Sequence, residues 1–506
     1  MYPPETSLIP ATIALSRFVE INGLSSMFGN YPFWYLGSTP FRFLTGPLVP
    51  LTLTLIHNFF KDVSLFDITI WIIVVTYVIS AIGWGILVGK IQNPNFKFLI
   101  FGIGHLAFII LLVLPWRLFS ALTLSEASLT IAKNVLPFVL LAFWKFYKEK
   151  DRKSAFLSVM LTSLLLLINT SVFSILLVGL VSLILAGGFK KGNIRGISGN
   201  IKGSLILLIG SVVLVTLWYT PGYWITVLLN PSIGGASGIK VIIRIIDLLK
   251  TTVPLILAII VVYFSGKIKN RLTVFILIWI LTFGFLTLFR FIGDPDFWMD
   301  WTAWLSELEV GIALLISIIL NNFWRARKSQ IPNPKFLTSY FLLSIVFLLP
   351  FYLTWRFHLV LGRPKLINRD IPQGVQSLEK LNEIVNKDEA GLPFRSLVRR
   401  RVFLSGSTVF WANALYDIYQ LRGGRDQVAV HEDWDKAAYE LREGNNPEAS
   451  SRWLHELDIS YALVHGPKSG EYYHDFKNIN KWKDIGKIVW EADGDIIYEV
   501  SSREQE

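Results

Sequence analysis

The chain has 506 residues, of which 53% are hydrophobic and 17% charged, and its mean hydropathy is +0.50, a balance that excludes an ordinary water-soluble globule. The net charge of +11 is unevenly divided. Residues 1–360 carry 28 basic against 13 acidic side chains and residues 361–506 carry 20 against 24, so the basic excess belongs to membrane loops and not to a nucleic-acid surface. With zero cysteines the chain has no disulfide, no thiolate metal site and no cysteine nucleophile.

The first 22 residues lack a charged start followed by an apolar core and a small-residue cleavage site, so no signal peptide is expected. Leu8 to Ile21 reads as an amphipathic helix, with Ile9, Ile13, Phe18 and Ile21 opposite Ser16, Arg17 and Glu20, and Gly23 stops it. Tyr31 to Phe41 is aromatic and rich in turn residues, the composition of a loop at the membrane interface. Leu48 to Phe60 is apolar but short and starts among prolines, which predicts a helix lying in the interface. Residues 1–66 are thus expected as an outer-face segment.

A helix needs about 20 apolar residues to cross a bilayer core of about 30 Å. Between residues 67 and 355 the predicted segments are Asp67–Gly89, Phe98–Pro115, Asn134–Phe146, Ser154–Leu167, Thr170–Ala186, Gly203–Trp218, Thr252–Phe264, Leu272–Leu288, Ala303–Asn321 and Phe336–Trp355. Asn134–Phe146, Ser154–Leu167 and Thr252–Phe264 are too short to cross alone and read as re-entrant or broken helices. Lys and Arg recur in every second loop, at 90–97, 145–153, 190–202, 267–271 and 325–335, which makes those loops cytoplasmic. Residues 116–133, 219–250, 290–302 and everything beyond 355 then fall outside, together with the segment before Asp67. With an outside start of this kind, either the first sixty residues are translocated without a signal or an inside-to-outside helix that precedes them is missing from this chain, and the loop charges favour the second.

From Leu361 the apolar runs shorten and the charges mix, so residues 361–506 are expected to form a small soluble α/β domain outside the cytoplasm. Helices are predicted over Val375–Asn386, Ser407–Ile418, Trp434–Arg442 and Pro447–Leu457, the last capped by Asn446. Strands are predicted at Arg400–Leu404 and Ser460–His465. A hairpin turning at Asp493-Gly494 joins Lys487–Ala492 to Asp495–Val500, giving a mixed sheet covered on one face. Tyr472-Tyr473-His474-Asp475 reads either as an aromatic contact for a glycan or as a packed edge.

The stretch that concentrates chemistry is Arg290 to Glu309, with five carboxylates and three tryptophans between two apolar runs. Asp294, Asp296 and Asp300 are hard oxygen donors, suited to a general base or to a divalent cation such as Mg²⁺ or Mn²⁺, with Asp294 and Asp296 the nearest to a metal pair. Arg290 either meets a phosphate or snorkels to the interface, and Asp300 either binds substrate or caps the helix starting near Trp301. Glu307 and Glu309 lie within that helix, where a carboxylate facing lipid is costly, so at least one faces protein or a cavity. Trp298 and Trp34 are the aromatic candidates for substrate contact. None of the seven histidines has the spacing of a metal pair.

Trp34, Gly37-Ser-Thr-Pro40, the ladder of spans, Arg401-Val-Phe, Trp411-Ala-Asn, Gln420-Leu-Arg-Gly-Gly and Ile459-Ser-Tyr-Ala-Leu-Val together resemble a family of large prokaryotic membrane proteins. That family is labelled "6-pyruvoyl-tetrahydropterin synthase-related membrane protein" and is similar to YfhO-like proteins and GT-C class glycosyltransferases. The resemblance implies a GT-C-like α-helical polytopic bundle followed by an α/β domain, and transfer of a sugar from a polyprenyl-phosphate donor on the outer face. It also implies a carboxylate in the first outer loop, a position held here by Glu5. The rival reading is a non-enzymatic transporter or cell-envelope assembly protein whose outer domain binds a partner. In an enzyme Glu5 or Glu20 converges with Asp294, Asp296, Asp300 and Arg290 in one outward cavity; in a scaffold they scatter.

Overall fold

The computed structural model describes residues 1–37, 46–93, 95, 102–188, 194–229, 239–264, 270–293, 301–328, 335–390, 400–424, 429 and 431–500. Helices α1 (Ile9–Asn22) and α2 (Leu48–Phe59) precede the bundle. The bundle is built from α3 (Leu65–Gln92), α4 (Ile103–Val113), α5 (Trp116–Thr123), α6 (Ala127–Glu149), α7 (Arg152–Ile168), α8 (Phe173–Gly188), α9 (Ile194–Val215), α10 (Pro221–Leu229), α11 (Ile239–Phe264), α12 (Arg271–Gly293), α13 (Trp301–Lys328) and α14 (Lys335–Val360). Among the described residues six helices are long and apolar enough to cross a membrane: Leu65–Gln92, Ala127–Glu149, Thr170–Gly187, Ile197–Val215, Arg271–Leu288 and Trp301–Phe323. The α4–α5 pair, bent by 43°, makes a seventh if it is taken as one span.

Two of the segments expected to be short are parts of longer helices. Asn134–Phe146 belongs to α6, which starts at Ala127; an apolar window stops at Lys133, but that lysine is buried against a carboxylate of α13 and does not end the helix. Thr252–Phe264 belongs to the 26-residue α11. Ser154–Leu167 stays short, as the 17-residue α7, because Asp151 caps its start and the chain breaks at Asn169. Residues 116–133, expected as an outer loop, are mostly helical and buried.

The helices approach closely where small residues cross, the usual device when lipid offers no hydrophobic drive for association. A Cβ on Gly83 of α3 would meet Phe138 at 2.9 Å and Pro137 of α6 at 3.0 Å. One on Gly311 of α13 would lie 2.6 Å from Ile280 of α12. Either glycine to alanine change forces these pairs apart.

The C-terminal part carries α15 (Ser377–Ala390), β1 (Arg401–Phe403), α16 (Thr408–Leu415), β2 (Tyr419–Gln420), α17 (Trp434–Glu443), α18 (Pro447–Glu456), β3 (Ile459–His465), a short α19 (Trp482–Ile485), β4 (Gly486–Ala492) and β5 (Asp495–Val500). Five strands form one mixed sheet in the order β2-β1-β3-β5-β4, parallel at the first two pairings and antiparallel at the last two. The β4–β5 turn has φ of 52° at Asp493 and 87° at Gly494, the left-handed pair that lets a two-residue turn follow the twist of its strands. Asn446 accepts from the N–H groups of Glu448 and Ala449 and caps α18 as expected.

The sheet is covered on both faces and not on one. Alternate residues sort into two cores: Tyr461, Leu463 and Ile497 join the cluster with α15 and the bundle, while Ala462, Val464 and Tyr498 join the cluster with α17, α18 and Trp482. Helix α1 lies between these cores. Ile9 and Ile13 pack with the bundle, and Ala11, Ala14, Leu15 and Val19 with the C-terminal core. It is therefore a buried connector and not a surface amphipathic helix, and only its last turn exposes Ile21.

Candidate functional site

The break between α4 and α5 organises the charged centre of the bundle. A chain that leaves one helix at Leu114-Pro115 and starts another at Trp116 has orphan carbonyls and orphan N–H groups. The Tyr77 hydroxyl donates to the Leu111 carbonyl at 2.6 Å, with the Leu114 carbonyl at 3.2 Å. On the other side of the break, Glu309 of α13 accepts from the Trp116 N–H at 3.0 Å and the Arg117 N–H at 2.8 Å. A carboxylate from a distant helix thus caps α5, where the positive end of the helix dipole favours it.

Two residues earlier on α13, Glu307 is completely buried. Its Oε1 lies 3.9 Å from both the Arg117 guanidinium and the Lys133 ammonium, and neither carboxylate oxygen has a hydrogen-bond partner. The Lys133 ammonium donates to the Ser306 hydroxyl. Arg117 donates to the Lys133 carbonyl at 2.9 Å and to the Ser80 hydroxyl at 3.4 Å. Two cations and two anions from α5, α6 and α13 are enclosed in the bundle, so the cluster is neutral as a whole. Exposed ion pairs contribute about 0–1 kcal/mol, but leaving one buried charge without its partner costs about 3–5 kcal/mol, so this group decides how α13 sits. Aromatic contacts add to it: the Trp301 ring is 5.0 Å from Phe357 and 6.5 Å from Trp116, and Trp304 stacks on Phe283 at 5.9 Å. Both Glu307 and Glu309 face protein, as lipid exclusion requires. Sequence reasoning does not single out Arg117 and Lys133; their signal is a pair of basic residues in a stretch that is buried between spans, matched by two carboxylates in another span.

Asp294, Asp296, Trp298 and Asp300 lie outside the described residues, and so does the side chain of Arg290, whose backbone belongs to the last turn of α12. What is described is the frame on either side of them: α12 ends at Gly293 and α13 starts at Trp301.

Glu5 packs against the C-terminal domain. Its carboxylate accepts from the Tyr472 N–H at 2.8 Å and its carbonyl from the Trp411 indole at 3.0 Å. Burial pushes its pKa up to about 7; the Tyr472 hydrogen bond opposes the rise and the neighbouring Glu471 charge adds to it. Glu471 is itself buried and accepts from the N–H groups of Ser407, Tyr473 and His474. The residues around Glu5 form a strap. The chain amine pairs with Asp67 at 2.7 Å, Tyr2 and Asn368 exchange backbone hydrogen bonds, and the Thr6 hydroxyl donates to the Thr123 carbonyl at the end of α5. Glu20, the other early carboxylate, pairs with His57 of α2 at 2.9 Å. Glu5 and Glu20 therefore do not converge on each other.

Trp34, expected at a substrate surface, is fully buried and packed against Gly423 and Gly424, with its indole N–H donated to Asn413 at 2.9 Å. Gln420 donates to the same Asn413 oxygen at 2.7 Å. The Phe33 carbonyl accepts from the Gln420 N–H and the Arg422 carbonyl from the Tyr35 N–H, so residues 33–35 run along the edge of β2. The Trp411-Ala-Asn and Gln420-Leu-Arg-Gly-Gly stretches thus join the early loop to the sheet. In the Tyr472–Asp475 segment Asp475 is tied into the domain while Tyr472, Tyr473 and His474 are exposed. Asp475 accepts from the Ser405 hydroxyl at 2.6 Å and lies 3.5 Å from Arg422 and from Arg442, while the two tyrosine rings meet edge to face at 5.1 Å. Among the described residues no group of three or more histidines and carboxylates has the geometry to hold a metal ion.

Neither a protein-family profile nor a curated protein matches the chain. Solved structures do. The chain is similar to the oligosaccharyltransferase of Archaeoglobus fulgidus in its apo form, with a TM-score of 0.54 and 13% identity over 98% of this chain and 71% of that one. A structure of the same enzyme with Zn and sulfate gives a TM-score of 0.53 and 13% identity over 99% and 70%. One tethered to an acceptor peptide containing the NVT sequon gives 0.54 and 13% over 92% and 66%. Bundle and C-terminal sheet together therefore have the GT-C-like fold, an α-helical polytopic bundle followed by a small α/β domain.

Proposed function

We propose that the protein is a membrane glycosyltransferase that moves a sugar from a polyprenyl-phosphate donor to an acceptor on the outer face of the membrane. One observation carries this reading: the whole chain, and not the bundle alone, is arranged as in an oligosaccharyltransferase. The buried Arg117, Lys133, Glu307 and Glu309 support it, because they fix the first turns of the helix that follows directly on the acidic hinge. In this proposal Asp296 takes the proton from the acceptor nucleophile as the bond from sugar to acceptor forms and the bond from sugar to phosphate breaks. Arg290 meets the charge that gathers on the departing lipid phosphate, and Trp298 and Asp300 position the sugar. Asp294 with Asp296 offers oxygen donors to a divalent cation, Mg²⁺ or Mn²⁺, which would supply further positive charge to the leaving phosphate. Glu5 is the reserve carboxylate. The donor is a membrane lipid, the acceptor approaches from outside, and the α/β domain stands on that same side by the loop-charge rule.

The test is incorporation of labelled sugar from polyprenyl-phosphate donors into membranes carrying wild-type protein or Asp296→Asn. Transfer by the wild type and its loss in the variant are expected. Absence of transfer by the wild type with every donor class, alongside specific binding of a lipid or protein, would favour the transporter or assembly reading.

A further inference from the structure

The turn that follows α1 shows an apolar surface with no role in the proposed chemistry. It is a 3-10 turn, Leu24–Phe28, entered at Gly23 with φ of 77°. Met27 points into the C-terminal core, but Ile21, Leu24 and Phe28 are 59%, 54% and 63% exposed. Three outward apolar side chains in eight residues cost free energy in water. No charged residue lies between Glu20 and Arg42, so nothing in this stretch resists entry into a lipid interface. The neighbour of the turn is informative: the Phe28 ring lies 5.6 Å from Trp218, three residues beyond the end of α9, one of the membrane spans. Leu217 is 85% exposed there, and the exposed Trp224 packs on the buried Tyr219 and Tyr223 close by, a tryptophan placed as at a headgroup boundary.

We infer that the Leu24–Phe28 turn is a membrane-interface wedge, whose Leu24 and Phe28 side chains enter the outer edge of the bilayer beside Trp218. The occupant of this surface is lipid, because the patch is continuous with the lipid-facing end of α9. The wedge adjoins the α/β domain, since the preceding helix α1 packs in the core of that domain. Lipid anchoring of this kind does not depend on the proposed reaction.

The cysteine-free chain allows a direct test. Phe28→Cys, Leu24→Cys, Leu217→Cys and Tyr439→Cys variants of the full chain are labelled with an environment-sensitive fluorophore and reconstituted into phosphatidylcholine vesicles with or without brominated acyl chains. Brominated lipid is expected to reduce the signal at positions 28 and 24 to the same degree as at 217, and to leave 439, exposed on α17, unchanged. The second wedge position guards against a folding defect in either variant. Signals at 28 and 24 that follow 439 overturn the inference. So does protection from soluble iodide without quenching by brominated lipid, which would place a protein partner or a second copy on the turn. Loss of quenching at 217 as well contradicts the α9 span and overturns the inference with it.

Discussion

The Glu5 carboxyl changes charge near neutrality, and the direction of its effect follows from its surroundings. Its pKa rises from 4.5 to about 7 in the folded chain, so the folded state holds the proton more tightly than the unfolded one. Stability is therefore reduced as pH rises between those values, and above about 7 the full penalty is present, at most about 3 kcal/mol for a group that keeps some solvent contact. Glu5→Gln keeps a hydrogen-bond acceptor for Tyr472 and removes the charge. Thermal unfolding of the detergent-solubilised protein is expected to show a stabilisation by Glu5→Gln that grows from pH 5 to pH 8; a constant difference would contradict the assignment. The charged group in the bundle has a different signature. Glu307→Ala leaves Arg117 and Lys133 under-compensated and is expected to cost about 3–5 kcal/mol, whereas adding Lys133→Met to it costs much less than the sum of the single changes. Strict additivity in unfolding experiments would mean that these residues do not act as a unit. From sequence, it was legible that at least one of Glu307 and Glu309 faces protein or a cavity, because lipid excludes a carboxylate. The predicted segment starts only at Asn134, after Lys133, because a hydropathy window cannot know that a partner charge stands on a helix more than 170 residues away.

At the level of elements, local signals served well where the chain closes on itself. The Asp493-Gly494 hairpin and the Asn446 cap stand where their chemistry placed them. Segments whose role is set by distant partners were not legible. Nothing local in Phe33-Trp34-Tyr35 says that its backbone lines the edge of β2, or that α1 is buried on two sides. These contacts also revise how the α/β domain is expected to behave. Residues 364–506 alone were expected to fold as a soluble unit, but their core is completed by Ala11, Ala14, Leu15, Tyr31, Phe33 and Trp34. Expressed alone, this part is expected to bind hydrophobic dyes and melt without a sharp transition. Fused through a flexible linker to residues 1–37, it gains a cooperative transition. A sharp transition of the isolated 364–506 fragment would show that the early segment only decorates a finished core. Trp34 is fully buried in that shared core, and its truncation to Ala would cost about 3–5 kcal/mol.

For the molecule as a whole, the alternating basic loops predict sidedness: residues 150 and 325 inside, residues 296 and 434 outside. Single cysteines at these positions, treated on intact cells with an impermeant thiol reagent, are expected to react at 296 and 434 only; labelling at 325 without 434 would invert the topology. On the proposed sidedness the acidic hinge, residues 294–300, is expected on the outer side of the membrane. The most direct test of the central claim is the transfer activity of Asp296→Asn, compared with wild type and with Asp300→Ala at equal expression. An exposed carboxylate contributes little to folding, so the account predicts unchanged thermal stability and a rate lower by about 10²-fold or more for Asp296→Asn. Asp300→Ala, at the residue proposed to position the sugar, is expected to lower the rate as well; a loss of about 1 kcal/mol of stability with activity kept would make Asp300 a helix cap only. Wild-type rates from Asp296→Asn, in a preparation whose wild type is active, would contradict the account and move the search for the base to Glu5.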